Sequence, residues 1–206
     1  MKKYELTDET LKIGQITLHR VKSLVAFTGV EVGETGGWVE KEANLEQNGD
    51  AWVSGDARVY GDARVYGDAR VSGDAKVSGD AWVSGDAKVS GDAWVSGDAR
   101  VSGDAKVSGD ARVYGNKHYM VIGPIGSRDD SITFTRDKKG GIFATVGCFF
   151  GTLAEFRAKV SKTHGDNIHA QAYLLAAQLA ELRIDTTPIS DTQKEPTEGC
   201  EKGSAE

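Results

Sequence analysis

Cys148, His164 and Asp166 are the residue types of a thiol nucleophile, a base and the group that orients the base. Spacing alone does not bring them together. Cys148 also lies in the apolar run TVGCFFG, where a free cysteine packs as a small hydrophobe. A second constellation is Gly123-Pro124-Ile125-Gly126-Ser127-Arg128. Gly123 and Gly126 can open backbone N–H groups to a phosphate, Ser127 adds a hydroxyl, and Arg128 adds a bidentate cation. The stretch matches no defined P-loop, yet it is the candidate ligand-binding segment, with a nucleotide or phosphate as the ligand class. His19, His118 and His169 are isolated, and Cys148 and Cys200 form no CxxC pair. No metal site, disulfide framework or cofactor is therefore expected.

The third source of chemical groups is an array. Eleven GDAxVx units run from Gly49 to Tyr114, each with one aspartate and none with a histidine. In an extended unit such as Asp56-Ala57-Arg58-Val59-Tyr60-Gly61, Ala57 and Val59 point to one side and Arg58 to the other. Glycine then permits a turn closed to other residues. So short a strand is not stable alone. Stacked on copies of itself it buries alanine and valine in a thin continuous core, the logic of a solenoid.

The unit resembles the hexapeptide repeat of left-handed parallel β-helices, in which three hexads make one triangular coil. The resemblance implies handedness and section; spacing implies only stacked short strands. At three hexads per coil the array makes under four coils, roughly 18 Å of stack at about 4.8 Å per strand. Many such proteins are trimeric acyltransferases that use a coil histidine as base, and related carbonic anhydrases use three for a metal. This array holds no histidine, so the family's chemistry does not carry over, and a transferase is disfavoured.

Three hexads per coil place Asp50, Asp68, Asp86 and Asp104 in one corner column. Neighbouring carboxylates there repel by about 1 kcal/mol in water. Turn capping and a Lys or Arg two residues on, in eight of eleven units, offset this. Calcium would need more oxygens than one aspartate per corner supplies. Trp52, Trp82 and Trp94 take outward positions on three different faces, which argues against an in-line stacking platform for bases or sugars. With Tyr60, Tyr66 and Tyr114 they form the candidate interaction surface, toward other subunits or the terminal domains.

The 206 residues carry a formal charge of −6, which favours neither nucleic acid nor an anionic membrane. No apolar run reaches a membrane span, and MKKYELTDETLK has no apolar signal region, so a cytoplasmic protein is expected. Residues 1–37 read as a β cap, 38–116 as the hexapeptide solenoid and 117–184 as a small α+β domain. Residues 185–206 are too polar to bury a core and read as a disordered tail. Gln47-Asn48 interrupts the six-residue rhythm as a two-residue insertion. In the α+β domain HYMVIGPIG, SITFT and GIFATVG read as strands. Thr152 and Glu155 have capping-box spacing before a helix with Leu153, Phe156 and Val160 on one face. Asp166 or Asn167 caps the next helix, whose apolar stripe is Ile168, Ala172, Leu175, Leu179 and Leu182.

The stretch Val30 to Ala57 is similar to the N-terminal part of solenoid proteins of enterobacteria and their phages, and residues 117–184 resemble a short domain at the ends of phage proteins. The class is mainly β. The functional expectation is a non-enzymatic phage or prophage protein, a rigid solenoid presenting a C-terminal recognition domain. Its expected partners are further copies of itself, as a trimer, and a host or phage protein.

Overall fold

The computed structural model describes residues 1–187, so most of the expected tail lies outside the described residues. Every hexad folds the same way. Eleven two-residue strands, β4 (Trp52–Val53) to β14 (Arg112–Val113), recur every six residues. Each but the last three pairs in parallel with the strand eighteen residues on, as Arg58 does with Lys76, Lys76 with Trp94 and Trp94 with Arg112. Three strands thus complete one turn of a parallel β-solenoid of about four turns. The alanines and valines of the units, from Ala51 to Val113, are fully buried. The corner glycines Gly49 to Gly109 all have φ between +61° and +70°, a region costly for side-chain-bearing residues. Up to the last turn, ladder bonds run from the outward residues to the alanine carbonyls of the next turn, such as Arg64 N–H to Ala81 O at 2.9 Å.

The first turns are built differently. Strands β1 (Tyr4–Ile13), β2 (Ile16–Ser23) and β3 (Thr35–Val39) form an antiparallel sheet, and β3 then lies parallel to Arg58–Val59. Here Trp38 aligns with Arg58, and Leu45 with Val65, a register of twenty residues. The two extra residues are those of the Gln47-Asn48 insertion. Side chains take over where the stack runs out of backbone. The Asn44 side-chain amide donates to Ala63 O (2.8 Å) and Gly61 O (3.0 Å). Glu40 and Glu46 accept the N–H groups of Gly61 (2.7 Å) and Gly67 (2.9 Å). Lys3, 5% exposed, donates to Ala51 O (2.8 Å) and Gly49 O (3.2 Å). These bonds close an edge that would otherwise template further strands.

The far end is closed in the same manner. The N–H groups of Arg100 and Lys106, which have no further turn to meet, donate to Asn116 Oδ1 and Thr133 Oγ1, both at 2.9 Å. Thr133 belongs to the C-terminal domain, an antiparallel sheet of β15 (Tyr119–Ile125), β16 (Asp130–Arg136), β17 (Ile142–Val146) and β18 (Phe149–Thr152). The last of these strands has no counterpart among those expected from the sequence. Helices α1 (Leu153–His164) and α2 (Ile168–Arg183) cover the sheet. Thr152 and Glu155 form the expected capping box, and Asn167, not Asp166, caps α2 by accepting the Ala170 N–H at 3.0 Å.

Candidate functional site

The C-terminal domain brings parts of the two sequence constellations to one cavity of about 200 Å³. Ser127 and Arg128 line it from a 3-10 turn (Gly126–Arg128), Cys148 from the β17–β18 turn, and Lys159 and His164 from α1. Tyr173 of α2 also lines the cavity. Its side chain is largely buried, and that burial, reinforced by Asp130, holds its phenol pKa above the usual value. Arg128 and Lys159 bring cationic groups to the lining and Asp130 a carboxylate, while Val146, Phe149, Phe156 and Val160 make much of it apolar. Cys148 is exposed and lies at the same cavity as His164; Asp166 is not among the lining residues. An anionic group with an apolar portion suits such a lining.

The glycines of the candidate segment have other work. Gly123 and Ile125 belong to strand β15, so the expected loop is shorter than its sequence implied. A side chain at Gly123 would meet Ser131, and one at Gly126 (φ +77°) would meet the ring of Tyr173. Both are close-packing positions in the structure. Ser127 and Arg128 alone of the four named residues line the cavity.

α2 departs further from its expected role. Its buried residues are Ala170, Tyr173, Ala176, Ala177 and Ala180, packed against Ile132, Phe134 and Phe156. The sheet and α1 fill the space with large side chains, so the helix must supply small ones. The leucine stripe is left on the opposite face: Ile168 is 71% exposed, Leu175 65%, Leu179 44% and Leu182 84%. These are four of the eight exposed large hydrophobic residues among the described residues, gathered on one helix face.

The outward aromatics of the solenoid are mostly enclosed. Trp52, Trp94, Tyr60 and Tyr114 are buried within the chain, which removes them from a surface toward other subunits, while Trp52 and Tyr60 meet the N-terminal segment. Trp52 lies edge-on to Phe27 of the N-terminal segment (5.4 Å between ring centres). Trp94 packs against Tyr114 (5.4 Å) and donates its indole N–H to Ser78 (3.0 Å). Tyr60 joins Leu11, Leu18 and Trp38 under the first hairpin. Trp82 and Tyr66 are half-buried, edge-on at 6.1 Å, with Arg100 over the indole at 4.9 Å. They border a groove of about 580 Å³ with Leu45, Glu46 and Arg64.

The corner aspartates stack in columns as expected, and the Asp50 N–H donates to Asp68 Oδ1 at 3.2 Å. Ion pairs tie three of them to the ends of the array: Asp56 to Arg20 (3.3 Å), Asp62 to Lys41 (2.8 Å) and Asp110 to Lys138 (2.8 Å). The Lys41 and Lys138 ammonium groups hold the carboxyls of Asp62 and Asp110 below the ordinary aspartate value. Among the described residues no cluster of three or more His, Cys, Asp or Glu side chains is placed to hold a metal ion. No helix among them is long and apolar enough to cross a membrane.

Stacked two-residue strands, an alanine–valine interior and glycine corners together define a parallel β-solenoid repeat protein. The array matches the family model of the YdcK beta solenoid repeat over residues 51–67, 57–71, 63–79 and 69–85. No curated protein matches the chain.

Proposed function

We propose that this is a non-enzymatic protein-interaction protein, a rigid solenoid that holds a small recognition domain at its C-terminal end. The observation that carries this reading is the outward leucine stripe of α2. Burying four such side chains is worth on the order of 5 kcal/mol before the costs of association. Monomeric domains rarely gather exposed aliphatic side chains on one helix face, and such a patch marks an interaction site. The solenoid suits a spacer: its strands are tied at both ends by side-chain caps, and its interior is closed to ligands. In keeping with the resemblance of the hexads and of the terminal segments, the coil is left-handed, the protein is a phage or prophage product acting in the bacterial cytoplasm, and its partners are its own copies and a host or phage protein.

Retention of a bacterial protein by the full chain, lost when Leu175→Glu and Leu182→Glu are combined, is the expected result. Retention that ignores those substitutions refutes the reading, and so does acetyl-CoA-dependent transfer by the purified protein.

A second reading has an observation of its own. Ser127 and Arg128 share a cavity with Lys159, His164 and Tyr173, a setting for a phosphoryl group or another small anion. A nucleotide-dependent rise in melting temperature that disappears in Arg128→Ala supports it; no shift in the unsubstituted protein ends it.

A further inference from the structure

We infer that the outer face of α2 is a homotypic interface, on which a second copy of this chain packs its own α2 antiparallel about a two-fold axis at Leu175. This rests on the reading of α2 as a recognition face and names its partner. Three of the four stripe residues are self-complementary about Leu175, and Leu179 comes level with Gln171 of the partner subunit. Ile168 and Leu182 lie seven residues to either side of Leu175. Antiparallel pairing about Leu175 therefore sets Ile168 against Leu182 of the partner subunit, and Leu175 against the partner subunit's Leu175. That is the isologous pattern a two-fold axis requires.

The charges agree with it. The helical positions beside the stripe, Gln171, Ala172 and Gln178, carry no charge. Glu181 is turned aside and held by Arg157 through two bonds of 2.8 and 2.7 Å. Arg183, at the C-terminal end, comes level with Asn167 of the partner subunit, beside the partner's Asp166. Opposed helix dipoles favour the same orientation.

Two alternative coverings fit less well. Residues 188–206 of the chain follow α2 but hold one large aliphatic side chain, Ile189, among many polar ones. They cannot bury four aliphatic residues. A parallel pairing would set Arg183 against Arg183 of the partner subunit. The seam from Ile168 to Leu182 spans only about 21 Å at 1.5 Å per residue, too short for a free coiled coil. Here α2 is already held by the sheet, so association does not have to order the helix.

Sedimentation of the full chain should give a dimer, and Leu175→Glu with Leu182→Glu should weaken it about a hundredfold or more. Both positions face solvent within one chain, so the variant should keep the far-UV circular dichroism of the original. Cross-linking fixes the orientation, in a background of Cys148→Ser and Cys200→Ser. Ile168→Cys with Leu182→Cys should cross-link into dimers on oxidation; Ile168→Cys alone should not. A monomer, a trimer, a dimer indifferent to the glutamates, or cross-linking by Ile168→Cys alone overturns the inference. A monomer that still retains a bacterial protein through the stripe overturns the homotypic partner and leaves the recognition role standing.

Discussion

Alanine at Gly73 and alanine at Gly103 ask the same thing of the backbone and different things of the stack. The two glycines have φ +70° and +65°, so either alanine enters the left-handed region at a cost of about 1–2 kcal/mol. A less flexible unfolded chain returns about 0.4–1 kcal/mol in both. At Gly103 nothing lies within 4 Å of the added methyl, so the net loss should be roughly 1 kcal/mol. At Gly73 the methyl would sit 3.0 Å from the Gly91 nitrogen and 3.3 Å from its oxygen. That oxygen is held by the Asp74 N–H at 3.1 Å, so Gly91 cannot yield without stretching the ladder. Overpacking of this kind costs about 1–3 kcal/mol more. The difference between the two variants, about 2 kcal/mol, isolates the corner-on-corner contact. Urea titration followed by tryptophan fluorescence reports on the array, which carries Trp52, Trp82 and Trp94, and far-UV circular dichroism, to which the two C-terminal helices contribute, shows whether that domain melts with it. Equal losses in the two variants would refute the stacked-corner argument.

Other consequences are equally direct. Asn44→Ala removes the amide from Ala63 O and Gly61 O and should cost about 3 kcal/mol in the same titration, because buried acceptors are left unpaired. Burial pushes the Lys3 ammonium down to about 8 from 10.5, so the unfolded chain binds its proton more tightly than the native one. Lys3 therefore makes stability rise with pH between those values, by about 1.3 kcal/mol from pH 7 to 9. Lys3→Met should lack that increment; an identical pH profile in the two proteins would contradict it. Trp94→Phe leaves Ser78 without the indole N–H and loosens the packing on Tyr114. It should lower the urea midpoint, whereas Trp82→Phe, at a half-buried site, should lower it far less.

The solenoid was legible because its signal is repeated: small, outward, then branched residues between glycines admit one way of stacking. Even the Gln47-Asn48 insertion reappears as a register of twenty against eighteen. α2 was legible as a helix and misleading as a face. Its alanines and its leucines both follow helical spacing, half a turn apart, and hydrophobicity alone favours the leucines. The choice is made by volume, since Phe134 and Phe156 already occupy the space beneath. The small-residue face was visible in Ala170, Ala176, Ala177 and Ala180, but its meaning depends on what the sheet brings. The outward aromatics show the same dependence. Alternation puts Trp52 outside the coil, and only the fold shows that Phe27 covers it. The cavity unites residues as distant in sequence as Ser127 and Tyr173, which no spacing argument joins.

Because one turn consumes eighteen residues and both ends are finished by their own side chains, the number of turns is a free variable. Duplicating residues 67–84 would lengthen the rod by about 4.8 Å and leave the terminal domain facing its original direction. Duplicating a single hexad would swing that domain by a third of a revolution. The protein can thus be read as a ruler with a pointer, graduated in whole turns for reach and in thirds for bearing.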